Sequence, residues 1–142
     1  MPQSITEPPT ATALILAERV YQDRDSGEWI IAGVFNRLYV TRLPAIHPRM
    51  DIFFQVTNVS RPVDLRLRIE HSDGEVLLDL GGPISSPDPL EVLEQRVIIN
   101  NVPFARAGKY FVQLMSQEEL LTAAPLYVTL VDEEANANAD SN

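Results

Sequence analysis

Apolar and polar side chains alternate strictly over residues 63–70, with Val63, Leu65, Leu67 and Ile69 on one side and Asp64, Arg66, Arg68 and Glu70 on the other. That period of two belongs to the pleat of a strand and to no helix, so the segment predicts an antiparallel strand with one buried face. It runs into Ser72-Asp73-Gly74-Glu75, where Asp-Gly supplies the positive φ of a tight turn, and Val76, Leu78 and Leu80 alternate beyond it. Residues 63–80 therefore read as a β-hairpin. Met50, Ile52, Phe54 and Val56 likewise share one face of a strand, with Asp51, Phe53, Gln55 and Thr57 on the other. Residues 29–40 form a near-continuous run of β-forming apolar residues behind a turn at Asp25-Ser26-Gly27-Glu28. Residues 96–100, 109–115 and 126–131 add three more segments of the same kind.

Two segments are less direct. In residues 13–21, Ala13, Leu14, Ala17, Val20 and Tyr21 also fit a helical stripe. The close turn and strong strand that follow favour a strand, which makes about eight. Residues 88–94 place Asp88 at an N-cap, Pro89 at the first helical position and Glu91 three residues after the cap, which predicts a short helical turn. About eight short strands without a long helix predict an all-β, antiparallel two-sheet β-sandwich in preference to a barrel. Gly108 stands two residues before Tyr110, which opens an alternating strand. This resembles the approach to the tyrosine corner of immunoglobulin-like sandwiches, although the same residues also read as a loop running into a strand.

The stretches ALILAERVYQDRDSGEWIIAGVFNRLYV (residues 13–40), LPAIHPRMDIFFQVT (residues 43–57) and AGKYFVQL (residues 107–114) are similar to a family of small bacterial proteins defined only as a domain of unknown function. The resemblance spans about residues 13–131 and rests on strand and turn patterns, not on chemistry. It implies an immunoglobulin-like β-sandwich in a bacterial cytoplasm and brings no catalytic residues with it.

Organisation and charge sharpen the picture. Residues 1–11, with Pro2, Pro8 and Pro9 among serines and threonines, read as a flexible leader. Residues 12–131 read as the sandwich domain, and residues 132–142 as a disordered acidic tail without an apolar residue larger than Ala. The net charge is −9, with four of the acids (Asp132, Glu133, Glu134 and Asp140) in that tail. A surface of this sign repels phosphate backbones, so nucleic acid is not expected as a partner. No apolar run approaches the roughly 18 residues of a membrane span. With no positively charged leader and no signal-peptide core, the expected location is cytoplasmic, away from any membrane. The chain has no cysteine, which excludes disulfides, thiolate metal sites and a cysteine nucleophile.

Candidate chemistry is sparse. Asp23-Arg24-Asp25-Ser26-Gly27-Glu28 opens like a calcium loop, but Gly27 stands where a ligand is needed and Val34 where the bidentate Glu belongs, so a polar turn explains it better. There is no Gly-x-Ser-x-Gly elbow, and Pro83 follows Gly81-Gly82 where a phosphate loop would present an N–H. His71 ends a strand before a turn and reads as a solvated or capping residue. His47 lies between Pro44 and Pro48, and with Arg42 and Arg49 it forms the densest basic spot on the chain. Arg42, His47 and Arg49 are the candidate contact for an anionic group or a partner, placed on a proline-stiffened loop of residues 41–49. No catalytic residue, cofactor or metal is expected. The readings that follow are a non-catalytic protein-binding or adaptor module, then a subunit of a homo-oligomer or larger assembly, then a hydrolase-like enzyme with an unrecognised site.

Overall fold

A computed structural model describes residues 8–132 and contains nine strands among them. They are β1 (Thr10–Gln22), β2 (Trp29–Val34), β3 (Arg37–Val40), β4 (Ala45–Thr57), β5 (Val63–His71), β6 (Val76–Ile84), β7 (Leu93–Phe104), β8 (Gly108–Ser116) and β9 (Glu119–Leu130). A four-stranded sheet in the order β2-β1-β4-β7 packs against a five-stranded sheet in the order β3-β9-β8-β5-β6. The expected two-sheet sandwich is present. Its core lies between Met50, Ile52, Phe54 and Val56 of β4 and the alternating Val63, Leu65, Leu67 and Ile69 of β5, with Val112 and Leu114 of β8 beside them. The hairpin over residues 63–80 forms as read, closed by Gly74 at φ 102° and by the His71 carbonyl accepting the Gly74 N–H at 2.8 Å. Residues 13–21 are a strand.

Several expectations change. The run 29–40 is two strands in different sheets, which raises the count from eight to nine. Phe35 N–H still bonds the Leu16 carbonyl of the first sheet, while the Asn36 carbonyl already accepts Tyr127 N–H of the second. The chain thus changes sheets at one peptide, and β3 then runs parallel to β9, so the sandwich is not wholly antiparallel. Residues 88–94 hold no helix. Asp88 caps a single turn, its carboxylate taking Leu90 N–H at 2.9 Å and its carbonyl taking Glu91 N–H at 3.0 Å, while the Glu91 carboxylate accepts the Ser86 hydroxyl and does not reach back to the cap. β1 starts at Thr10, inside the segment read as leader. The rest of the leader up to residue 7, and the tail from residue 133, lie outside the described residues. Among the described residues no helix is long and apolar enough to cross a membrane.

The Tyr110 corner is formed. Its hydroxyl donates to the Arg106 carbonyl at 2.6 Å, and its ring meets Phe104 and His71 edge-on, at 5.1 Å and 4.8 Å between ring centres.

One departure from a flat sheet positions everything below. β1 pairs with β4 only as far as Ala17, opposite Asp51, and then pairs with β2 alone. A straight continuation would carry Gln22 about 16 Å beyond that point. Instead Trp29, the register partner of Gln22, rests its ring 5.5 Å from Phe53, which sits back beside Ile15. The β1–β2 hairpin therefore folds back over the outer face of the four-stranded sheet, as an arm with its own small core of Ala17, Val20 and Phe53 under Trp29, Ile15 and Ile31. Gly33 makes the bend possible. At φ 74° it holds a left-handed turn, and a Cβ there would stand 2.9 Å from the Glu18 side chain.

Candidate functional site

The structure disperses the basic spot. Arg42 is exposed in the bend after β3, whereas His47 and Arg49 lie on β4 itself and not in a loop. His47 is opposite Val102, half-buried, with its ring 5.9 Å from Phe35. Burial pushes its imidazole below the ordinary value, against a hydrogen bond with the Arg49 backbone and the charge of Glu18. Arg49 is bound to a carboxylate, donating from Nε to Asp51 Oδ1 at 2.9 Å and from Nη2 to Asp51 Oδ2 at 3.0 Å. The basic spot of the sequence is thus one exposed arginine, one half-buried histidine whose charged form burial disfavours, and one arginine paired with a carboxylate.

Asp51 is the residue that sequence reasoning passed over. It is 0% exposed, and its Oδ2 also accepts Val20 N–H at 2.8 Å, while Arg96 on β7 donates to the Val20 carbonyl at 3.0 Å. Where β1 leaves β4, two side chains rising from the sheet replace the lost ladder bonds of Val20 and hold the arm down. Burial alone would raise the Asp51 carboxyl, but the Arg49 and Val20 hydrogen bonds and the neighbouring arginine charges outweigh it and hold the group below the usual carboxylate range. In the sequence Asp51 looks like Asp64, a polar residue on the solvent side of an alternating strand.

The turn clusters are internally committed. Asp23 Oδ1 accepts Asp25 and Ser26 N–H at 2.8 Å and 2.9 Å and closes the turn. His71 is not simply solvated. Its Nδ1 is 3.2 Å from Asp73 N–H and its Nε2 is 3.2 Å from the Ala107 carbonyl, bracing the corner below Tyr110. Arg106 pairs with Asp73 and Glu75 there, and it is chiefly responsible for holding the Asp73 carboxyl well below the usual range. On the outer face of the five-stranded sheet, Arg66 and Arg68 share Asp79 across the hairpin, at 2.8 Å and 3.4 Å.

Two clefts remain. The first, about 290 Å³, opens between β6 and β7, the terminal strands of their sheets, over a floor of Phe54, Leu65, Leu67 and Leu114. Leu80, 40% exposed, stands at its rim, followed by Gly81 and Gly82, where the β6 backbone is bare. Gly81 is required by contact, since a Cβ there would lie 2.6 Å from the Leu65 carbonyl oxygen. The second, about 400 Å³, lies between the arm and the sheet and is lined by Glu28, Trp29, Ile31, Phe53, Gln55 and Glu94 with the tip of the hairpin. The first cleft is lined mainly by apolar side chains, and the second sets Ser26, Glu28 and Glu94 around aromatic ones.

No curated protein matches the chain. The model of DUF6941, described as a family of unknown function, matches residues 12–129, most of the chain and nearly all of the sandwich, and the protein belongs to that family.

Proposed function

We propose that the protein is a non-catalytic protein-binding module that takes an extended segment of its partner along the β6–β7 side of the sandwich. The observation that carries this is the pairing of two terminal strands around one apolar groove. Each of β6 and β7 is bonded to a neighbour on one side only, so each offers backbone N–H and C=O groups to an added strand. Every second side chain of such a strand points into the groove, toward Phe54, Leu65 and Leu67, and Gly81 and Gly82 keep the β6 rim open to its backbone. An immunoglobulin-like reading of the scaffold agrees with this. Strands β1-β4-β7 facing β9-β8-β5-β6, with the Tyr110 corner, follow the arrangement in which such sandwiches keep a fixed core and bind through loops and edges.

Panning a displayed library of random peptides on the full chain tests the proposal. Selected sequences are expected to alternate apolar residues and to lose about tenfold or more in affinity for Leu80→Arg, which sets a charge at the groove mouth without entering the core. Peptides that bind Leu80→Arg as tightly as the wild type overturn the groove as the site. A dimer in solution that Leu80→Arg dissociates assigns the groove to a second copy of the chain.

A further inference from the structure

We infer that the cleft beneath the β1–β2 arm is a binding site for a cationic side chain, a lysine or arginine presented by a basic partner. Its floor is aromatic. Trp29 and Phe53 meet at 57° with ring centres 5.5 Å apart, and both line the cavity together with Ile31. Ring faces of this kind attract a cation through their quadrupole, tryptophan most strongly. The rim is acidic and comes from two directions. Glu28 stands at the base of β2, and its carboxylate makes no hydrogen bond or ion pair among the described residues; Glu94 stands on β7, oriented by Gln55, whose Nε2 donates to its Oε2 at 2.8 Å. A cation in the cleft thus lies beside the half-buried Trp29 and meets carboxylates on both the arm and the sheet, while the apolar wall accommodates the methylene stem that lysine and arginine carry.

Of the nearby cations two are engaged, while Arg24, exposed at the arm's tip, makes no hydrogen bond or ion pair among the described residues. Arg96, the neighbour of Glu94 on the same face of β7, is turned to the Val20 carbonyl, and Arg49 is held by Asp51. Asp23 and Asp25 outnumber Arg24 in the arm's tip, and the net charge of −9 favours the approach of basic partners to the chain as a whole. The aromatic floor distinguishes the cleft from the other acidic positions of the chain. The site does not rest on the groove between β6 and β7: Gln95 lines the groove and Glu94 the cleft, so the two lie on opposite faces of β7.

Trp29 is the only tryptophan, so its fluorescence reports on this cleft alone. The full chain is titrated with a short capped peptide carrying one central lysine in a glycine–serine frame, with the arginine version, and with the same peptide carrying glutamine. The expected result is a saturable change in Trp29 emission with the lysine and arginine peptides, weakened by added salt and absent with glutamine. In Glu28→Gln with Glu94→Gln the apparent affinity falls by about tenfold or more, while the melting temperature is retained because both side chains are exposed. No saturable response to either basic peptide overturns the site, and so does an unchanged affinity in the double variant. Leu80→Arg is expected to leave this response intact, so failure of the groove and failure of the cleft are read separately.

Discussion

Asp51→Asn tests whether the arm is held by the contacts described. Asp51 accepts three hydrogen bonds, two from Arg49 and one from Val20 N–H. Asparagine keeps the shape but replaces one acceptor oxygen by an NH2, which must then face a donor, either the guanidinium or Val20 N–H. A hydrogen bond to a charged group contributes about 1.5–3 kcal/mol, and a buried donor left without a partner costs about 1–3 kcal/mol. The Arg49 side chain keeps 33% of its surface, so solvent screens part of the pair. We therefore expect a loss of about 2–3 kcal/mol from Asp51→Asn, a large part of the stability of a domain this size. The loss should be local first. Urea unfolding followed by Trp29 emission reports the arm, and far-UV circular dichroism reports both sheets; in the variant the first transition should precede the second. Exchange of the Val20 amide should speed up on the order of thirtyfold to a hundredfold. The folded carboxyl lies below its ordinary pKa of 3.8, so its contribution is present above that pH and is lost as the pH falls through the folded value. The difference between wild type and variant should shrink in acid accordingly. An Asp51→Asn protein within about 0.5 kcal/mol of wild type at pH 7, with the Val20 amide still protected, would refute the reasoning.

Three further outcomes follow from single contacts. Tyr110→Phe removes the donor to the Arg106 carbonyl and should cost about 1–2 kcal/mol in a thermal or urea melt, and a neutral result would mean that the corner does not brace the fold. Gly81→Ala drives a Cβ toward the Leu65 carbonyl oxygen and should cost about 1–3 kcal/mol, whereas Gly82→Ala, with nothing within 4 Å of the added atom, should be tolerated; equal effects would contradict the packing at the groove. His47 is held below its ordinary 6.5 by burial. Unfolding therefore takes up a proton as the pH falls through that value, and the native state loses stability on the acid side. His47→Gln should flatten the decline in unfolding free energy measured below pH 6.5, and an unchanged slope would place the titration elsewhere.

Where local chemistry and tertiary packing agree, the sequence was legible. The alternation from Val63 to Ile69, the Asp73-Gly74 turn and the Gly108 to Tyr110 corner each specify their own geometry. Elsewhere one local signal served two outcomes. Asp88 and Pro89 suit a helix start or a single turn, and entry into β7 at Leu93 decides for the turn. Pro44 and Pro48 suggested a loop around His47, yet Pro48 lies within β4. β1 has already left β4 at Ala17, so that edge of β4 needs no N–H from residue 48, and a proline is tolerated there. No proline, and no glycine after Gly33, marks the change of sheet at Phe35 and Asn36, because extended backbone serves both sheets equally well.

The candidate sites were illegible for a single reason, the fold-back of β1 after Ala17. Nothing at Glu18 and Arg19 distinguishes a bend from a continuing strand, yet the bend turns Asp51 from a surface carboxylate into a buried anchor and carries Glu28 and Trp29 over Phe53 and Glu94. Anchor and cleft are thereby coupled. The arm supplies one wall of the cleft and the sheet the other, so the cleft has its geometry only while Val20 is held by Asp51 and Arg96. A cation that bridges the two walls must in turn favour the closed arm by as much as the closed arm favours the cation, since linkage between the two equilibria is reciprocal. The Asp51 anchor therefore sets the fraction of molecules competent to bind, although neither Arg49 nor Asp51 lines the cleft.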